Sequence, residues 1–398
     1  MDYIYLIYQI IQFTLLIWLG FCVIYLFVLA VAGLFFKQNI KIKHSRSLPK
    51  VALLIPAYKE NEVILHTAKE AIKQDYHKFD VVVIADSLDA EVVFALKSLD
   101  IVVIEVSFEK STKAKALNFA MNELGDNYDL AVVLDADNIM AQGVLSKIAN
   151  KYADGYNAIQ GHRTAKNRET GFSMLDAISE EMNNHLFCKG TQTVGLTSRL
   201  IGSGMAFDYG MFKKLMKDVD AVGGFDKVLE LELVNSGNPI HYLESAYVYD
   251  EKVSQSAVFS NQRTRWISAQ FYYLKKYFWG SIGKLLKGKV DYFLKAVQLF
   301  LPPRMLFPIM VSVLFVLALI INDELFSKIW GISFGLIIVS YGISIPKKLW
   351  TKELFMAVLS LPKAIIVMLL AMFKLKGANN KFIHTPHSIK ETPINNNN

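Results

Sequence analysis

The sequence predicts an α/β domain with a mostly parallel sheet, set between apolar helices of membrane-spanning length, and three observations carry that reading. Between residues 49 and 250, short apolar runs alternate with amphipathic stretches, the pattern of strands joined by crossover helices. Residues 10–36 contain no charge before the run closes at Phe36, and about 20 such residues cross a hydrocarbon core. Finally, 53% of the 398 residues are hydrophobic and mean hydropathy is +0.29, more apolar than soluble globular chains run.

The first apolar run reads as a retained anchor. A cleavable signal peptide is shorter, starts with positive charge and ends in small residues, whereas Asp2 precedes this run and Phe35-Phe36-Lys37 closes it. Lys37, Lys41, Lys43, His44, Arg46 and Lys50 follow and mark the cytoplasmic side, which puts the N-terminus outside. Further apolar runs lie at about 299–321, 329–345 and 354–375. The first two form an out-and-back hairpin with Lys347, Lys348 and Lys352 inside. The third contains Pro362 and Lys363, and Lys374, Lys376 and Lys381 also require the inside, so it is expected to be re-entrant or interfacial rather than a full span. In residues 279–298, Lys284, Lys287, Lys289 and Lys295 alternate with Ile282, Leu285, Leu286, Val290 and Phe293, the pattern of an amphipathic helix lying on a membrane surface. The chain thus divides into an anchor (1–46), an α/β domain (47–278), an interfacial helix (279–298), C-terminal membrane or interfacial helices (299–376) and a partly disordered tail (377–398).

The net charge is +7. The basic residues sit beside apolar runs and form no nucleic-acid-binding motif, which favours a lipid bilayer over nucleic acid as partner. Two cysteines, Cys22 and Cys188, imply neither a disulfide framework nor a cysteine metal site. His384 and His387 lack nearby ligand partners, and a tail contact is the simpler reading.

Within the α/β domain, Val51-Ala52-Leu53-Leu54-Ile55 reads as a first strand closed by Pro56, followed by a helix carrying Val63, Ile64, Ala68, Ala71 and Ile72. Val81 to Ala85 reads as a strand ending at Asp86, residues 101–104 as another, and residues 114–124 as a helix. Leu130-Ala131-Val132-Val133-Leu134 reads as a buried strand ending in Asp135-Ala136-Asp137. Three strands therefore carry polar or acidic residues just past their carboxyl ends, where open α/β sheets bind ligands. Asp135 and Asp137 offer hard oxygen ligands for Mg²⁺ or Mn²⁺, which holds a diphosphate. Tyr58 and Glu60 after the first strand suit stacking on and hydrogen bonding to a base, Asp86 suits a base or ribose, and Lys113 at a helix start suits a phosphate.

The order Pro56-Ala57-Tyr58-Lys59-Glu60-Asn61, Ala85-Asp86-Ser87, Lys113 to Asn118 and Asp135-Ala136-Asp137 resembles that of family 2 glycosyltransferases with the GT-A fold, a Rossmann-like mixed sheet that binds nucleotide sugars. Gln262-Arg263-Thr264-Arg265-Trp266 is similar to the QxxRW signature of the membrane-integrated branch that includes cellulose, chitin and hyaluronan synthases. The resemblance implies an inverting transferase moving a sugar, UDP-activated by expectation, to a growing polysaccharide or a lipid-linked acceptor. It places the enzyme in a bacterial inner membrane with the catalytic domain in the cytoplasm. A single-addition lipid or oligosaccharide transferase and a non-catalytic polysaccharide-binding subunit are the alternatives.

By the same resemblance, Asp137 is the metal ligand and Asp135 contacts the donor or the metal shell. Gln262, Arg265 and Trp266 bind phosphate and acceptor sugar. Asp226 of Gly224-Phe225-Asp226 matches the general base, although Phe225 stands where the family carries an acid. Glu230 and Glu232 compete for that role, and Ile201-Gly202-Ser203-Gly204-Met205-Ala206-Phe207 matches a glycine-rich acceptor loop. Gln160, His162 and Arg163 receive no chemical role.

Overall fold

A computed structural model describes residues 2–38, 45–217, 219, 223–254 and 256–373. The expected tail, with His384 and His387, and Lys374, Lys376, Lys381, Lys41, Lys43 and His44 lie outside the described residues. Eight strands form one sheet: β1 (Val51–Tyr58), β2 (Phe79–Asp86), β3 (Val102–Val106), β4 (Leu130–Val133), β5 (Ile139–Met140), β6 (Ala158–Ala165), β7 (Met205–Asp208) and β8 (Ile240–Asp250). Their order is β3-β2-β1-β4-β7-β6-β8-β5. β1, β2, β3 and β4 run parallel, as do β6 and β8. β7 runs antiparallel to both β4 and β6, and β5 antiparallel to β8. The sheet is therefore mixed, where the strand pattern alone indicated a mostly parallel one.

Side-chain alternation explains the packing. Along β1, Ala52 and Leu54 enter one apolar cluster while Val51, Leu53 and Ile55 enter the other, because successive residues point to opposite faces. Both faces are covered by helices, which is why these strands read as unbroken apolar runs. β1 continues through Pro56 to Tyr58, two residues past the expected stop. β4 pairs only as far as Leu54↔Val133, so Pro56 lies where β2 alone borders the strand, and the missing N–H disturbs little.

Helices Asp2–Leu15 and Phe21–Leu34 join through a π-helical turn, Leu16–Gly20, into one apolar rod over Tyr3–Leu34. It starts earlier than the charge-free run because Asp2 and the tyrosines are helical too. Glu324–Ser344 is the second helix long and apolar enough to cross a membrane. The bent pair Lys352–Leu359 and Leu361–Leu370, 44° apart, makes a third if counted as one span. The expected run at 299–321 is corrected: only Phe307–Ile320 is helical, 14 residues and about 21 Å at 1.5 Å per residue, because Pro302 and Pro303 break the chain before it. The Tyr3–Leu34 rod meets Glu324–Ser344 through two polar pairs, Trp330 Nε1 to Gln12 Oε1 (2.7 Å) and Gln9 Nε2 to Asp323 Oδ2 (2.8 Å). Such pairs are common glue between apolar helices.

The single amphipathic helix expected at 279–298 is two elements. Ser256–Leu286 is one 31-residue helix, and Val290–Gln298 follows after a turn at Gly288, whose φ is +77°. Lys284 and Lys289 hydrogen-bond Asn235, and Lys295 is buried beside Glu230 at 3.2 Å. These lysines tie both helices to the Phe225–Asn235 helix. Gly190 fixes a second junction: a Cβ there would lie 2.3 Å from the Leu29 carbonyl oxygen, so only glycine lets the Asn184–Gly190 segment lie against the first apolar helix.

His241 on β8 is buried against the Tyr156 ring, with centroids 4.3 Å apart. Burial, reinforced by Lys151, pulls its pKa down to about 4. The folded state therefore prefers neutral imidazole, so this contribution to stability is complete above pH 6.5 and is lost progressively toward pH 4. The full shift corresponds to at most about 3 kcal/mol. The apparent Tm of the solubilised protein is expected to fall over that window, with a shallower slope in His241→Gln; equal slopes would contradict the assignment.

Candidate active site

β1 and β2 end side by side, with Tyr58 and Asp86 as register partners. The next residues, Lys59 (φ +56°) and Ser87 (φ +57°), both adopt the left-handed conformation, unusual outside glycine and characteristic of functional turns. The Lys59 N–H donates to the Asp86 carbonyl at 3.1 Å, locking the two strand ends together. Asp86 is 2% exposed, and its Oδ1 accepts from Ser87 Oγ (3.0 Å) and Ser111 Oγ (3.1 Å). Burial pushes its pKa up, partly offset by those hydroxyls and by Lys59.

The acidic turn after β4 is held from beneath. The Asp135 N–H donates to Ser203 Oγ (2.9 Å), which donates to Asn138 Oδ1 (2.6 Å). Asn138 Nδ2 in turn donates to Asp137 Oδ1 (3.1 Å) and Asp250 Oδ1 (2.8 Å). Lys113 Nζ bridges the Asp135 carboxylate and the Gly202 carbonyl. The glycine-rich segment therefore buttresses the acidic turn. Gly204, at φ +63°, has no room for a Cβ, which would lie 2.8 Å from Val248.

Asp226 stands in the first turn of the Phe225–Asn235 helix, where the helix dipole favours a carboxylate. Its Oδ2 lies 2.8 Å from Lys227 Nζ. Burial raises its pKa, but Lys227, Arg199 and Lys113 outweigh burial and hold it below the ordinary 3.8. Glu230, one turn on, lines the same cavity; Leu200 N–H (2.8 Å) and Lys295 (3.2 Å) occupy its oxygens. Glu232 does not line the cavity. Phe225 is buried with Lys113 Nζ 5.3 Å above its ring, so an aromatic face meets the cation where the family carries an acid.

The Gln262–Trp266 motif lies on the Ser256–Leu286 helix. Gln262 Oε1 is buried without a protein partner. Burial pulls the Arg265 pKa down. Trp266 is 44% exposed, with Arg263 4.4 Å from its ring centroid. One cavity of about 550 Å³ is lined by Tyr58, Glu60, Asp86, Lys113, Asp135, Asp137, Asp226, Gln262, Arg265 and Trp266. Of the candidate carboxylates, Glu232 alone lies outside this cavity.

The model of the Glycosyltransferase like family 2 matches residues 49–269, more than half of the chain. The chain belongs to glycosyltransferase family 2. Among solved structures, this family 2 glycosyltransferase is similar to the mannosyltransferase PcManGT from Pyrobaculum calidifontis, in complex with GDP-Man and Mn²⁺. That likeness has 15% identity and a TM-score of 0.53, covering 91% of this chain and 98% of that one, and shows a GT-A-like curled mixed sheet. S. aureus TarS 1–349 with UDP-GlcNAc matches at 15% identity and TM-score 0.37, covering 52% of this chain and 59% of that one. Glucosyl-3-phosphoglycerate synthase from Mycobacterium tuberculosis, with Mn²⁺, UDP and glucosyl-3-phosphoglycerate, matches at 12% and 0.35, covering 57% and 75%. No curated protein matches the sequence.

Sequence reasoning gave Arg163 no role, yet it organises the floor of the family 2 site. Its guanidinium donates to Glu180 from Nε (2.7 Å) and Nη2 (3.2 Å) and lies 4.0 Å from both Asp250 and Asp135. Lys252 pairs with Glu180 and, at 2.6 Å, with Asp250. Burial would raise the Asp250 pKa, but Lys252 and Arg163 hold it well below the usual range. Removing one member of a buried ion network costs about 3–5 kcal/mol. Glu180→Ala, which removes the nearest carboxylate from Arg163 and one of the two that hold Lys252, is expected to lower stability by about that much, read as loss of folded protein in detergent; an unchanged unfolding midpoint would refute the network. The only available signal in the sequence was polar residues at 160–163 on an otherwise apolar strand.

The residue types of Asp135 and Asp137 fit a hard divalent cation. Asp135 and Asp137 both face the cavity, and no group of three His, Cys, Asp or Glu side chains forms a closed cage among the described residues. Two carboxylates with the remaining positions left to substrate phosphate and water is the Mg²⁺ pattern.

Proposed function

We propose that this family 2 glycosyltransferase is an inverting enzyme embedded in a membrane, moving a sugar from a nucleotide donor to a growing polysaccharide or a lipid-linked acceptor. The observation that carries the reading is the shared cavity, lined by Asp135 and Asp137 after β4, by Asp226 at the start of its helix and by the Gln262–Trp266 motif. The donor class follows from the family and accords with GDP-Man and Mn²⁺ in the PcManGT structure.

In this scheme Tyr58 stacks on the base, Glu60 and Asp86 accept hydrogen bonds from base or ribose, and Lys113 and Arg265 neutralise phosphate. Asp137, with Asp135, would hold Mg²⁺ or Mn²⁺, which supplies Lewis-acid neutralisation of the departing diphosphate. Gln262 Oε1 accepts from an acceptor hydroxyl and the open face of Trp266 supports its ring. The acceptor oxygen attacks the anomeric carbon as its proton passes to the Asp226 carboxylate. The bond from that carbon to the diphosphate oxygen breaks on the opposite side, so configuration inverts. The membrane setting rests on the Tyr3–Leu34 and Glu324–Ser344 helices, with the basic flank after Phe36 favouring a cytoplasmic catalytic domain in a bacterial inner membrane.

The test incubates the purified full-length protein with radiolabelled UDP- and GDP-sugars, Mg²⁺ or Mn²⁺, and membrane lipid, then sizes the product. One donor is expected to be consumed with transfer of its sugar. A ladder of long chains assigns processive synthesis and a single added sugar assigns single addition; consumption of no donor overturns the proposal.

A further inference from the structure

The cavity also holds a row of arginines, Arg199, Arg263 and Arg304, that the donor chemistry leaves unused. Asp176, Ser179 and Asn183 are spaced by three and four residues on the Gly171–Asn183 helix, hence on one face. Each holds one arginine drawn from a distant part of the chain. Asp176 pairs with Arg263, Ser179 Oγ accepts from Arg304 Nη2 at 2.8 Å, and Asn183 Oδ1 accepts from Arg199 Nη1 at 3.3 Å. Only the first partner is charged. Arg304 Nη1 is buried with no hydrogen-bond partner.

The neighbouring carboxylates cannot neutralise this row, because each already has its own cation. Asp226 pairs with Lys227, Glu230 with Lys295 and Asp176 with Arg263. Among the described residues, no carboxylate lies within ion-pair distance of Arg199 or Arg304. Two guanidinium groups facing one cavity without a counter-charge are costly, and a planar donor fork matches phosphate oxygens. Apolar residues line this cavity too: Leu26 from the first membrane-length helix, Leu301, Pro302 and Met368. Arg304 is itself anchored there, its carbonyl accepting from Tyr341 Oη of the Glu324–Ser344 helix at 3.0 Å.

We infer that the acceptor is a phosphate-linked lipid: its phosphate or diphosphate sits on Arg199 and Arg304, its apolar chain leaves between Leu26, Leu301 and Met368, and its hydroxyl-bearing sugar reaches Asp226. This rests on the glycosyl-transfer reading for the group that Asp226 meets. Arg199, Arg304 and Asp226 line the same cavity, so one acceptor can meet the phosphate-binding arginines and the proposed base together.

The test measures equilibrium binding to the full-length protein in detergent and metal-free buffer, using farnesyl diphosphate, farnesol and inorganic pyrophosphate as probes. Farnesyl diphosphate is expected to bind at least tenfold more tightly than either of the other two. Arg199→Gln and Arg304→Gln are each expected to raise its Kd by tenfold or more, with Arg→Lys at either position intermediate. Gel filtration and a thermal midpoint within about 3 °C of wild type establish that the variants are folded; Arg304→Lys serves if Arg304→Gln fails that check. Equal binding of farnesol would mean that only the chain is recognised, and equal binding of pyrophosphate that a free anion is; either overturns the proposal, as do folded variants with wild-type affinity. Failure of the transfer reading appears separately, as wild-type protein that consumes no nucleotide sugar.

Discussion

Asp226→Asn is expected to lower kcat by two to four orders of magnitude, the usual contribution of a positioned general base. The change keeps the shape and removes the capacity to take a proton, so the acceptor KM is expected to move far less. Geometry favours Asp226 over its neighbours. Glu232 lies outside the cavity, and both oxygens of Glu230 are engaged by the Leu200 N–H and Lys295. Although burial works against ionisation, Lys227, Arg199 and Lys113 hold the Asp226 pKa below 3.8. The carboxylate is therefore formed throughout the neutral range, and any acid limb that it causes in kcat/KM is expected below the usual carboxylate range. The same shift contributes stability that is present above the unfolded carboxyl pKa and lost as pH falls through the lower folded value. A rate that survives Asp226→Asn, or a limb near pH 6 that the variant abolishes, would contradict the assignment.

Asp137→Ala is expected to reduce transfer by a factor on the order of 10²–10³, the equivalent of a few kcal/mol of lost charge stabilisation at the leaving diphosphate. Raising Mn²⁺ to millimolar concentration is not expected to restore it. Asp135→Ala is expected to cost less metal affinity and more donor affinity, because Asp135 already receives Lys113 and lies near Arg163. Calorimetric titration of nucleoside diphosphate with and without Mn²⁺ separates the two variants; Asp137→Ala protein that retains metal-dependent nucleotide affinity would contradict the division of roles.

How much of this was legible in the sequence follows from the range of each interaction. The strand ends carrying Tyr58, Asp86, Asp135 and Asp137 were visible because an apolar run and the residue after it are one local signal. Asp226 and the Gln262–Trp266 motif were reached through resemblance, and the structure brings both to the cavity of the acidic turn. The arginine row was invisible for the opposite reason. Arg199, Arg263 and Arg304 lie on three separate segments, collected only by the spacing of Asp176, Ser179 and Asn183 on a fourth.

The segment expected as one helix at 279–298 is two, and alternating Lys and Leu suits a helix packed on protein as well as one on a membrane. Gly288 breaks the run, and Lys284, Lys289 and Lys295 find partners within the chain. The run at 299–321 misled in a similar way, since its apolar composition continues through Pro302 and Pro303 while the helix starts only at Phe307. Phe225, which looked like a defect in the acidic motif, packs in the core beneath the Lys113 cation.

In the proposed reaction a nucleotide-bound sugar passes in one step, within this one cavity, to an acceptor hydroxyl facing Asp226. NMR of the first product formed by the purified full-length protein checks this by comparing the configuration of the transferred anomeric carbon with that of the donor. Inversion is expected, with one nucleoside diphosphate released per sugar transferred. Retained configuration, or release of nucleotide without a glycosylated product, would contradict it.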